Sequence, residues 1–134
     1  MSERQIVRVR DVMKTEFDMV DGLSTVADAL RDAQHLETKC LIVDKRNEDD
    51  EYGILLFSDI AKSILAQDRA PERVNVYEIM SKPVVSVRPE MDIRYCARLF
   101  ERFGIARAPV IDRCTVLGVV GYTDIVLLGL KRHL

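Results

Sequence analysis

The apolar positions of this chain change period several times, and the changes mark its elements. Val26, Ala29, Leu30, Ala33 and Leu36 fall at helical spacing, and Ile93, Cys96, Ala97, Phe100 and Phe103 repeat the arrangement. Ser24 or Thr25 can cap the first helix, Asp92 the second, and Gly104 suits the end of the second. After each helix comes a short, continuous apolar run that ends in aspartate, residues 40–44 and 108–112, which reads as a buried strand. Pro109 is expected at the start of its strand, because it has no N–H to give the ladder. A further apolar run then turns directly into another helix. Thr123 is a candidate N-cap there, with Asp124 in the first turn.

That last feature occurs twice. Gly53, Phe57, Ser58, Asp59 and Ile60 return in the same order and spacing as Gly118, Tyr122, Thr123, Asp124 and Ile125, so the chain is a repeat. The two copies open on Val9-Arg10-Asp11-Val12-Met13 and Val76-Tyr77-Glu78-Ile79-Met80, their methionines 67 residues apart. Matching Asp44 to Asp112 gives an offset of 68, which puts one inserted residue between helix and strand. Extended segments are expected at residues 17–20 and 84–87, so each copy runs strand, helix, strand, strand, helix. The boundaries read as 1–68 for the first copy with its lead-in, 69–75 for a polar linker interrupted by Pro71, and 76–134 for the second copy. A half of about 60 residues buries little core alone. The two βαββα halves are therefore expected to pack sheet to sheet, helices outside, as one α/β (α+β type) pair with pseudo-twofold symmetry.

Composition narrows the function. With 48% apolar residues and no apolar run near the ~20 that a membrane span needs, the 134-residue chain reads as globular and cytoplasmic, with no membrane partner. The first residues lack the apolar stretch of a secretory signal. A formal charge of -2 argues against a whole-surface nucleic-acid footprint, so no nucleic-acid partner is expected. Cys40, Cys96 and Cys114 read as reduced, mostly buried small hydrophobes, and residues 45–51, with four acidic side chains, as a solvated loop tip. Only His35 and His133 are histidines, and no HExxH, GxSxG, GxGxxG or P-loop pattern is present. Neither a catalytic set, a metal site nor a catalytic cofactor is expected, and the chain does not read as an enzyme.

In the order of its leading methionines, strand-ending aspartates and Gly-to-Asp phrases, the chain resembles a tandem pair of CBS domains, the cystathionine-β-synthase-type regulatory module, from about Val9 to Leu130. The resemblance implies an adenosine nucleotide (AMP, ADP or ATP) held in clefts between the repeats. Asp59 and Asp124, with Ser58 and Thr123 beside them, would accept the ribose hydroxyls. A carboxylate in a first helical turn suits that task. Where the family usually has Thr or Ser three residues earlier, this chain has Leu56, which adds bulk, and Gly121, which leaves room and a reachable N–H. Lys39 and Arg107 match the family's phosphate-reaching basic residue, with Arg107 followed by Ala108 and Pro109. Val12, Met13, Ile79, Met80, Val84 and Ser86 would wall the adenine slots or are plain core.

Two functions remain. One is a stand-alone regulatory module that senses an adenosine nucleotide and modulates an unknown partner protein. The other is an interaction and dimerisation module with degenerate, empty clefts, for which Leu56 and Gly121 are the best support. Either favours a homodimer through the helices starting at Ser58 and Thr123: the resemblance implies terminal helices stacked between pairs, and residues 125–130 are almost wholly apolar. Light scattering at tens of micromolar should return the dimer mass; a monomer would reject this pairing.

Overall fold

A computed structural model describes residues 5–134. In chain order its elements are helix α1 (Val9–Val12), strand β1 (Met19–Val20), helix α2 (Val26–Asp32), strands β2 (Cys40–Val43) and β3 (Gly53–Leu56) and helix α3 (Phe57–Ile60). Helices α4 (Val76–Ile79) and α5 (Ile93–Phe103), strands β4 (Arg107–Asp112) and β5 (Thr115–Gly121) and helix α6 (Tyr122–Asp124) complete it. Helices α3 and α6 each run on into a wider π-helical turn, Ala61–Leu65 and Ile125–Leu130. The class is α/β, and no described helix is long and apolar enough to cross a membrane.

The chain forms two compact units that do not follow the sequence repeats. One is Phe17–Val84; the other joins the chain through Glu16 to Val85–Leu134. In the first, β1 lies parallel to β2 and β2 antiparallel to β3, and Ser81 bridges the far side of β3 at Ile54. In the second, β4 and β5 form an antiparallel hairpin, Val87 bridges Val110 on one side and Lys14 bridges Val119 on the other. The lead-in of each repeat thus belongs to the unit that holds the other repeat's last strand. Backbone pairing is the reason: Lys14 N–H bonds Val119 O and Val119 N–H bonds Lys14 O, both at 2.9 Å, and Ser81 and Ile54 exchange the same two bonds. Leu41, Leu55, Val26 and Val76 are fully buried in one unit, and Val9, Phe100, Val110 and Val120 in the other.

Several local expectations hold. Thr25 caps α2 by accepting the Asp28 N–H, Asp92 caps α5 by accepting the Arg94 N–H, and Gly104 ends α5 at φ 65°. That positive φ is where glycine alone is unstrained. Others need correction. Helix α2 stops at Asp32, because the Asp18 carboxylate takes the Gln34 and His35 N–H groups at 3.0 and 2.9 Å and draws the chain aside. Leu36 then enters a 3-10 turn and is exposed, as is Phe103 at the end of α5. Pro109 sits inside β4, opposite Val119, rather than at its start; its carbonyl accepts the Val87 N–H. Residues 69–75 are no plain linker: Val74 is buried and its carbonyl accepts the Val26 N–H. Cys40 and Cys96 are buried, and burial pushes the Cys96 thiol up to about 11, but Cys114 is exposed in the β4–β5 turn.

The acidic loop is anchored as well as solvated. Asp50 accepts a bond from Lys82 Nζ at 2.7 Å and one from the Arg46 N–H at 2.8 Å. The Lys82 bond foremost, then the Arg46 amide, hold its carboxyl well below the usual carboxylate range. A carboxyl made more acidic by folding adds stability that is complete above its unfolded pKa of about 3.9 and fades as the pH falls through and below it. The melting-point gap between the wild type and Asp50→Asn should therefore be widest near about pH 6 and only partly reduced near about pH 3, closing below the folded-state pKa. Thermal melts at the two pH values check this. A second expectation concerns Gly118, where a Cβ would overlap the Lys14 carbonyl oxygen and crowd Met13 Sδ at 3.2 Å. Gly118→Ala should cost about 1–3 kcal/mol and lower Tm by several degrees. Gly22→Ala, whose Cβ would meet Val43 at an ordinary 3.4 Å, should melt close to wild type.

Candidate functional site

The site starts from the turn between β5 and α6. Strand β5 has three buried residues in succession, Gly118, Val119 and Val120, and Gly121 leads straight into the helix. The helix begins at Tyr122, whose ring meets the buried Phe100 edge-on at 5.3 Å. Gly121 therefore takes the N-cap position expected of Thr123, and Thr123 is exposed on the first turn. Asp124 folds back instead: its Oδ2 accepts the Gly121 N–H at 2.9 Å. The amide expected to await a ligand is already bonded within the turn. Asp59 does the same in the other unit, accepting the Leu56 N–H at 3.1 Å, so Leu56 and not Ser58 is the N-cap of α3. A carboxylate at the third helical position satisfies one of the open N–H groups that every helix start presents.

The two aspartates differ in their second oxygen. Asp124 is buried, with a side chain 8% exposed, and its Oδ1 holds the ammonium of Lys14. A buried carboxylate needs such a counter-charge, since an unpaired one is costly. Lys14 was missed from the sequence. The repeat shows only its place, Lys14 following Met13 as Ser81 follows Met80, and not the ion pair. The bridges of Lys14 to Val119 and of Ser81 to Ile54 make that correspondence structural.

Strand register also corrects the pairing of Lys39 with Arg107. Cys40 faces Leu56 across β2–β3, and Arg107 faces Gly121 across β4–β5. Since Leu56 and Gly121 correspond, so do Cys40 and Arg107. Lys39 matches Ala106 instead; both carbonyls accept the first N–H of the following helix, from Phe57 and Tyr122. Lys39 is exposed at φ 59°, outside the strand. Val43 and Val110, which face the corresponding Gly53 and Gly118, keep the offset of 67, so no residue is inserted between helix and strand.

The candidates thus divide by unit. Val12, Met13, Ser86, Arg107, Ala108, Pro109, Gly121, Thr123 and Asp124 share one, and Lys39, Ser58, Asp59, Ile79, Met80 and Val84 the other. Within the first, a Cβ on Gly121 would lie 3.6 Å from Arg107 Cβ and 3.7 Å from Asp124 Oδ2, so the bare glycine keeps the space between guanidinium stem and carboxylate clear. Val12 and Ala108 are core, Met13 packs on Gly118, and Ser86 is exposed beside Val87. In the second, the strand position of Arg107 holds buried Cys40, and Met80 Sδ packs at 3.1 Å from where a Gly53 Cβ would stand. A separate apolar groove of about 640 Å³, lined by Ile93, Ala97, Ile125, Val126, Gly129 and Leu130, contains none of the candidate ligand residues but includes part of the expected dimer face at 125–130.

Comparison with known proteins fits this geometry. The CBS domain profile matches residues 76–130. An uncharacterized protein of Methanopyrus kandleri is 33% identical over 81 residues, a match spanning 59% of this chain and 41% of that protein's length. The hexameric CBS-CP12 protein from bloom-forming cyanobacteria superposes with a TM-score of 0.89 at 37% identity, covering 96% of this chain and 74% of the other. The CBS domain pair of protein MJ0100, solved with 5′-methylthioadenosine and S-adenosyl-L-methionine, has a TM-score of 0.77 at 23% identity, with 96% and 99% covered. With its doubled strand–turn–aspartate phrase, this chain belongs to the CBS domain family as a tandem pair.

Proposed function

We propose that the chain is a ligand-sensing regulatory module, not an enzyme, and that it takes an adenosine nucleotide at Asp124. The observation that carries this reading is the buried carboxylate at the β5–α6 turn, with the half-buried Arg107 across the strand pair and Lys14 beside it. A carboxylate can accept two bonds from a ribose diol, and a guanidinium can clasp a phosphate through two oxygens. The ligands of the MJ0100 pair, both adenosine derivatives without a phosphate, support the adenosine part of this reading; the phosphate rests on Arg107 and Lys14. Binding would then favour one of two states of the module and alter the surface it offers a partner.

A second reading has its own support. Asp124 is already satisfied by Lys14 and Gly121, which is also what a purely structural carboxylate requires. Val126, Leu127, Leu128 and Leu130 are 40–56% exposed along the terminal turn, and the CBS-CP12 relative is a hexamer. Under this reading the module assembles and leaves its clefts empty. In both readings it is a cytoplasmic homo-oligomer.

A thermal-shift screen of adenine nucleotides, dinucleotides and S-adenosylmethionine separates the two. A ligand at a hundred times its Kd adds about 2.7 kcal/mol, several degrees in Tm; no shift with any compound leaves the assembly reading. For a compound that shifts the melt, Asp124→Ala should weaken binding by about ten- to a hundredfold, and Asp59→Ala by less. Titration calorimetry of both variants reads the difference. Loss of binding in Asp59→Ala alone would move the site to the other unit.

A further inference from the structure

Lys14 lies on the chain's lead-in, 110 residues from Asp124 in sequence, yet its ammonium holds Asp124 Oδ1. Its side chain is 31% exposed, while that of Asp124 is 8% exposed. The more exposed lysine thus holds one carboxylate oxygen, and the Gly121 N–H holds the other. A ligand hydroxyl that comes to Asp124 must share or displace this ammonium. If displaced, the ammonium loses a charge-assisted bond at a part-buried place, a loss that a neutral ligand has nothing to offset. A cationic ligand adds like-charge repulsion from both Lys14 and Arg107. An anionic ligand reverses the balance, because its phosphate gives the released ammonium a new partner.

We infer that Lys14 is a specificity-determining residue that makes the Asp124 site select phosphate-bearing adenosine ligands over neutral and cationic ones. The inference rests on the nucleotide reading above and adds the ligand's charge class to it. In the ligand-free chain Lys14 closes the carboxylate, and in the complex it moves from Asp124 to the phosphate. The other unit lacks this device, since Ser81 stands at the matching position and Cys40 replaces Arg107.

Titration calorimetry of the full chain with adenosine 5′-monophosphate, adenosine and S-adenosylmethionine tests this. The variants are Lys14→Gln, whose amide can still bond Asp124 without a charge, and Lys14→Arg, which keeps the charge. The wild type should bind the monophosphate at least about tenfold more tightly than adenosine, and S-adenosylmethionine no better than adenosine. Lys14→Gln should erase most of that ratio by weakening the monophosphate while leaving adenosine unchanged or tighter; Lys14→Arg should preserve it. An unchanged ratio in Lys14→Gln, or a lost ratio in Lys14→Arg, overturns the role of Lys14 and leaves the nucleotide site standing. Should Lys14→Gln fail to fold, a wild type that binds adenosine as tightly as the monophosphate overturns the inference, and retention of the ratio by Lys14→Arg supports it. No heat from the wild type with any of the three overturns the nucleotide reading itself, and the charge selection with it.

Discussion

The unit that carries Asp124 depends on one close approach of two backbones. Lys14 and Val119 exchange a pair of 2.9 Å hydrogen bonds, and the approach is possible only because residue 118 has no side chain. That pairing extends the β4–β5 hairpin, sets Val9 and Val12 into the core beside Phe100, and delivers the Lys14 ammonium to Asp124. Two-stranded hairpins are marginal by themselves. The lead-in strand is thus structural support and chemical group at once, and any change in its register would also move the counter-charge of the buried aspartate.

The same arrangement, built from the other lead-in, gives the second unit its stability without its chemistry. Ser81 pairs with Ile54 as Lys14 pairs with Val119, and Gly53 provides the narrow place. Yet serine brings no charge, Cys40 puts a small buried thiol where Arg107 stands, and Leu56 fills the position of Gly121. One backbone plan therefore supports two unlike sites. What separates them is three side chains at corresponding positions, not a difference in topology.

Much of the fold was legible because it is local. Thr25, Asp92 and Gly104 mark helix ends through bonds to residues two to four positions away, and the apolar runs of β2 and β5 announce burial by continuity. Where local reading went astray, a group from farther along the chain had intervened. Helical spacing predicted α2 through Leu36, but Asp18 takes the amides that would have continued it. Thr123 looked like a cap because hydroxyl residues often are, yet the carboxylate one position later could reach the Gly121 N–H.

By itself the sequence determined the repeat, the α/β class and the place of Asp59 and Asp124 at strand-to-helix turns. Those properties follow from periodicity and from residue preferences that act over a few positions. It did not determine the short helices Val9–Val12 and Val76–Ile79 or the lack of a strand at residues 84–87. Only the tertiary structure decided that each lead-in joins the last strand of the other repeat, that Arg107 corresponds to Cys40 rather than Lys39, and that Lys14 is the partner of Asp124. Strand register and ion pairing between distant residues are set by the backbone ladder and the requirement to neutralise a buried charge. Neither leaves a trace in the local spacing of apolar and polar residues.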